Sequence, residues 1–184
     1  PTINTEIHSF YKKKLPKYFF LFIGYFRYYK GLQIALNAVK DTDINLVLAG
    51  DGEIKNYLLR KKNKENIKNL MILDQVTEEE KVSLLNLCKG FIFPSHLRSE
   101  AFGISLLEAA FFGKPLISCD IGTGTSFVNV HNLTGLVVKP NSPIQLRNAM
   151  RYILDHKEVA EKMGKEAKIR ARKIFNLQNT VESY

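Results

Sequence analysis

Six short runs of apolar residues recur along the chain, at 18–23, 44–49, 69–73, 90–93, 116–119 and 134–138. Each is continuous rather than alternating, which is what a strand buried on both faces requires. Between them lie segments with apolar residues at helical spacing, such as Leu32, Ala35, Leu36 and Val39. Strands that alternate with helices must run parallel, so the pattern predicts an α/β doubly wound domain around a sheet of about six strands. With 184 residues the chain is long enough for one such domain and a substantial core.

The stretch 90–115 concentrates the candidate chemistry. The strand 90–93 ends at Pro94 and Ser95, and a polar loop runs to Gly103. Ile104, Leu107 and Ala110 then mark a helix closed by Gly113, with Pro115 beyond. A loop that leaves a strand's carboxyl end and enters a helix is where open α/β sheets bind ligands. Helix N–H groups there favour an anion such as a phosphate. Glu100 and Glu108 bracket this entry with seven residues between them. Ionised carboxylates accept several O–H donors and suit a polyhydroxyl ligand. Taken by spacing alone, the same pair also reads as two solvated glutamates on a surface turn. Gly103, without a Cβ, lets backbone approach a ligand.

The full string, Ser95 through Glu100-Ala101-Phe102-Gly103 and Glu108-Ala109 to Gly113-Lys114-Pro115, resembles the signature of the retaining glycosyltransferases of family 4. That resemblance implies a Rossmann-like half of a GT-B fold that binds a nucleotide sugar. It also implies roles. Glu100 would hold sugar hydroxyls and Glu108 the ribose hydroxyls. Amides around Phe102, Gly103 and Ile104, with Leu107 nearby, would complete the donor contacts. No cofactor and no metal are implied; the nucleotide sugar is a substrate.

A second loop, 25–31, follows the first strand after Gly24. Its Arg27 and Lys30 would hold a diphosphate, although a basic loop is more often simply solvated. It is similar to the family motif GRLxxxKG. Lys30 matches the family Lys, whereas Tyr25 stands where an Arg is usual, and Arg27 is expected to supply that charge. The turn Gly50-Asp51-Gly52-Glu53 resembles another family turn and places Gly52 at the cleft. Val76 falls where the family contacts the base, with Asp74 replacing a usual Gly.

Other features are read as scaffold. Asp41-Thr42-Asp43 has the form of a metal-binding DxD motif but lies on the amino side of a strand, where a turn explains it. Thr77 to Glu80 starts a capped helix to which no chemistry is assigned. His131 is a loop residue without a partner in view. The string 122–138, GTGTSFVNVHNLTGLVV, resembles a subgroup that builds bacterial surface polysaccharides, often from GDP-mannose. Ser142 and Pro143 open a helix to Leu154. A basic amphipathic stretch, 158–175, reads as a solvated helix face more than as a membrane patch.

Formal net charge is +9, from 27 Lys and Arg against 18 Asp and Glu, which favours anionic partners. The lysine clusters at 12–17 and 61–64 are not interleaved with aromatics, as a single-strand nucleic-acid groove would be. Cys88 and Cys119 read as buried thiols, without the spacing of a metal site. No apolar run approaches the roughly 18 residues of a membrane span.

Residues 1–16 are expected to be a linker from a missing amino-terminal domain, 17–175 the donor-binding domain, and 176–184 the start of a further helix. The resemblance implies transfer of mannose or another hexose, with retention, to a lipid-linked glycan in O-antigen, capsule or lipopolysaccharide synthesis. The expected place is the cytoplasm, at the inner face of an anionic membrane. No nucleic-acid partner is expected. The alternative is a non-catalytic nucleotide- or nucleic-acid-binding module that uses its positive charge.

Overall fold

A computed structural model describes residues 2–181. Six parallel strands form one sheet: β1 (Phe20–Ile23), β2 (Leu46–Ala49), β3 (Leu70–Leu73), β4 (Gly90–Phe93), β5 (Leu116–Cys119) and β6 (Gly135–Val138). Their order is β3-β2-β1-β4-β5-β6. Chain direction across the sheet therefore reverses between β1 and β4. Loops leaving those two strands diverge and open a crevice at the carboxyl ends. β1, β2, β4 and β5 are buried at every position, which is why their sequences are apolar throughout.

Eight α-helices lie among the described residues: α1 (Thr5–Lys14), α2 (Leu32–Val39), α3 (Lys55–Lys64), α4 (Glu78–Leu87), α5 (Ile104–Phe111), α6 (Thr125–Val128), α7 (Pro143–Asp155) and α8 (Lys157–Val181). The core is rich in phenylalanine, with Phe19, Phe20, Phe22, Phe26, Phe91 and Phe93 all buried. Phe22 stacks on Phe93 across the β1–β4 junction at 6.3 Å between centroids. The Thr77 capping box forms as expected, and Ser142 caps α7 through the Gln145 N–H.

Two expectations need correction, both near the ends of the chain. Residues expected as a linker contain helix α1. Asn4 caps it by accepting from the Glu6 and Ile7 N–H groups. Glu6 in its first turn and Lys12 to Lys14 in its last complement the helix dipole. Tyr11 is buried on its inner face. The separate helix expected from 176 is instead the continuation of α8, which is one helix from Lys157 to Val181; residues 182–184 lie outside the described residues. Part of the loop after β5 forms the short helix α6.

Candidate functional site

A cleft of about 350 Å³ opens at the carboxyl ends of β1, β2 and β3. Gly24, Tyr25, Gly50 and Asp51 line one side; Val76, Lys81, Ile104, Ser105 and Glu108 line the rest. Glycine shapes the first wall. A Cβ on Gly50 (φ +150°) would sit 2.0 Å from the Gly24 carbonyl oxygen, so two turns meet backbone to backbone. The Phe26 N–H donates to Asp51 O at 2.7 Å and ties the turn after β1 to the turn after β2. On the far side, α5 begins at Gly103 in the left-handed region (φ 82°), with no side chain capping it. Its first residues, Ile104 and Ser105, face the cleft.

Two of the ion pairs at this end of the sheet engage the signature carboxylates. Lys30 and Glu100 join the loops after β1 and β4, and both side chains are largely buried, at 14% and 9% exposure. The Ser95 hydroxyl donates to the Glu100 carboxylate at 3.4 Å. The Lys30 ammonium lies 5.0 Å from the Phe93 ring centroid. A Cβ on Gly103 would be 3.0 Å from that same ring. Lys30, Glu100 and Gly103 thus gather around Phe93. The second pair is Lys81 with Glu108, at 2.6 Å. Lys81 also meets Glu78 at 2.8 Å. Burial disfavours the charged form of Lys81, but hydrogen bonds to Glu108 and Glu78 outweigh it and raise its pKa.

Of the residues expected at the site, Gly24, Val76, Ile104 and Glu108 line the cleft. Lys30, Glu100 and Gly103 form the adjoining cluster instead. Leu107 is buried in the core. Phe102 packs where a Cβ on Gly124 would be 2.6 Å from its ring, and Gly52 lies against the Phe26 backbone. Arg27 is half exposed; it faces Glu53 at 3.9 Å, and its guanidinium lies 5.3 Å from the Tyr25 ring centroid.

Sequence reasoning missed Lys81 and Glu78, having assigned the α4 helix no chemistry. A signal was present. A capping box fixes where the helix starts, and a Glu and a Lys three apart share a face. Which face turns to the cleft was not readable from spacing.

Several polar motifs are structural. In Asp41-Thr42-Asp43 the Thr42 hydroxyl donates to Val39 O, and Asp43 pairs with Arg151, a turn at the amino ends of the strands. His131 accepts from the Val137 N–H at 3.0 Å. Asn129, buried, donates to Ser118 Oγ and Leu136 O, and accepts from the Thr134 hydroxyl. The string after β5 therefore knots β5 to β6. Its Gly124 N–H donates to Ala101 O at 2.8 Å and holds this loop beside the Glu100 loop.

Comparison with known proteins places this geometry. The chain spans about half the length of the curated relatives it matches. It is 47% identical over 175 residues to the D-rhamnosyltransferase WbpZ of Pseudomonas aeruginosa, covering 95% of this chain and 46% of that protein. It is 41% identical over 166 residues to the O-antigen chain mannosyltransferase C of Escherichia coli, covering 90% and 45%. The fold matches the crystal structure of Anabaena HepE in complex with UDP, at a TM-score of 0.83 and 17% identity, over 100% of this chain and 54% of that one. It also matches the C-terminal domain of a glycosyl transferase group 1 family protein, LpcC, from Francisella tularensis, at a TM-score of 0.76 and 19% identity, over 95% and 94%. The family model of glycosyl transferases group 1 covers residues 4–170. A Rossmann-like sheet carrying the Glu100–Glu108 signature, matched over nearly its whole length by that family, makes this chain a member of the glycosyl transferases group 1 family.

Proposed function

We propose that this chain is the donor-binding half of a retaining glycosyltransferase. It holds a nucleoside diphosphate sugar, with mannose or another hexose, for transfer to a lipid-linked glycan in O-antigen, capsule or lipopolysaccharide assembly. The observation that carries this reading is the glycine-walled cleft between the turn after β1 and the N-terminus of α5, with Glu108 on its wall. An amino-terminal GT-B domain, cytoplasmic placement and contact with an anionic membrane belong to the same proposal. Among the described residues no helix is long and apolar enough to cross a membrane.

Each group has a task that its chemistry suits. Glu108 accepts from the ribose hydroxyls. Glu100 accepts from sugar hydroxyls once Lys30 turns from it to the diphosphate. Lys30, with Arg27, stabilises charge that develops on the leaving diphosphate, a largely electrostatic contribution. Arg27 is exposed and weakly held, so it reorients at little cost. The Ile104 and Ser105 amides supply the positive end of α5. Val76 backs the base. No protein nucleophile is invoked, and the acceptor attacks from the face that the diphosphate leaves. The donor set at the cleft needs no metal.

Calorimetric titration of the chain with GDP, UDP, GDP-mannose and a short oligonucleotide tests this. Nucleotide binding that Glu108→Ala weakens at least 10-fold, about 1.4 kcal/mol, is the expected result. Oligonucleotide binding with steep salt dependence and no response to nucleotides would overturn it in favour of a nucleic-acid-binding module.

A further inference from the structure

The first turn of α4 has two working faces. Its back meets α1. There the Tyr11 hydroxyl donates to Glu80 Oε1 at 2.7 Å, and Asn4 Nδ2 donates to Glu79 Oε2 at 3.0 Å. Its front meets the cleft, where Lys81 bridges Glu78 and Glu108. The two faces are joined through Glu80. Its second oxygen, Oε2, accepts from the Thr77 N–H at 2.8 Å, while the Glu80 N–H donates to the Thr77 hydroxyl. One carboxylate therefore closes the capping box and anchors α1 at once. Lys81 is the next residue along the chain.

We infer that Tyr11 is a positioning residue for the nucleotide cleft: by fixing Glu80 it sets the first turn of α4, and so holds Lys81 on Glu108. The inference rests on the reading of the cleft as the donor site. The two end links, Tyr11 to Glu80 and Lys81 to Glu108, are short, at 2.7 and 2.6 Å, and partly shielded, while the Thr77–Glu80 bonds between them are exposed. Tyr11 is only 5% exposed, and Lys81 has 17% of its side chain exposed. Glu80 and Lys81 are consecutive residues of one helical turn, so a side-chain bond that fixes Glu80 also restricts the backbone that carries Lys81. A shift of about 1 Å at Lys81 would leave Glu108 turned from its partner, and buried positioning groups are sensitive to displacements of that size. The burial of Tyr11 and the charge of Glu80 both keep its hydroxyl protonated, so the donor is present throughout the neutral range.

A double-mutant cycle tests the coupling, with GDP and UDP as probes and affinity read by calorimetry well below the melting temperature. Tyr11→Phe keeps the buried ring and removes only the donor. Glu80→Gln keeps size and removes the charge. Each is expected to weaken nucleotide binding about threefold to tenfold in the wild-type background. Each is expected to have no further effect once Lys81→Ala is present. A merely structural role would lower the melting temperature and leave affinity unchanged, or weaken binding equally in both backgrounds; either result overturns the inference. The Glu108→Ala control separates the two levels. Binding lost with Glu108→Ala but untouched by Tyr11→Phe removes the coupling and leaves the site. Failure of the wild-type chain to bind either nucleotide removes both.

Discussion

The sheet has a cleft at each end, and the larger is not the one assigned a function. The cleft at the amino ends has about 470 Å³, lined by Tyr18, Phe20, Asp43, Asn45, Lys89 and Arg151 among others. The cleft at the carboxyl ends has about 350 Å³. Volume favours the first, and construction favours the second. The amino-end space is bounded by an exposed ion pair, Asp43 with Arg151, and by Tyr18, half of which is open to solvent. Long side chains that water can reach set its shape. The carboxyl-end space is bounded by backbone at Gly24 and Gly50, by a helix N-terminus and by carboxylates already held by lysines. The exposed Asp43–Arg151 pair and the shielded Lys30–Glu100 pair thus carry different weight. Exposed pairs contribute little because water and salt compete for both partners, whereas shielded ones cannot lose a partner without leaving an uncompensated charge.

Replacing Lys30 by Met should break this contrast most visibly. It strands the Glu100 carboxylate among buried groups, and a loss of about 3 kcal/mol is expected, read from the urea midpoint at neutral pH. Nucleotide affinity should fall in the same variant. A stability equal to wild type would mean that Glu100 is solvated after all.

A smaller effect is expected in alkali. Burial, then the hydrogen bond to Glu80 and its charge, raises the Tyr11 phenol from 10.0 to about 12. The fold thus favours the neutral phenol. The stability this contributes is present below pH 10, declines as the unfolded chain ionises, and is gone above about 12. Tyr11→Phe should flatten that part of the pH–stability curve relative to wild type; parallel curves would contradict the assignment.

At the amino ends, Arg151→Ala should do least. Hydrogen bonding to Arg151 lowers the Asp43 pKa, so the pair contributes above the ordinary carboxylate range and fades as pH falls through the depressed value. Because Asp43 is fully exposed, the melting temperature should move within experimental scatter, and nucleotide affinity should not change. A clear loss of affinity would show that the two ends of the sheet communicate.

Much of this was legible beforehand, for a local reason. The apolar runs at 116–119 and 90–93 became β5 and β4 over the same residues, because burial on both faces leaves one composition open to them. Thr77 and Ser142 marked helix starts, because capping is a contact within four residues, and Pro143 fits the first turn that Ser142 opens. Even α1, read as linker, carried Asn4, Glu6 and three terminal lysines in order; its helical marks were overlooked rather than absent. The site was legible only as a set of loops. Glu100 and Glu108, grouped by one motif, separate in space, the first to Lys30 and the second to Lys81.

By itself, then, the sequence determined the alternation of strands with helices, the family, and the loops among which a candidate site was to be sought. Those follow from short-range spacing and from which residues tolerate burial. Tertiary structure alone decided that α1 docks on α4, that Lys81 faces the cleft, that Arg27 turns outward, and that Lys30 rather than a solvent cation neutralises Glu100. Each of those contacts joins groups far apart along the chain. No local preference specifies such partners; packing around the β1–β4 crossover does.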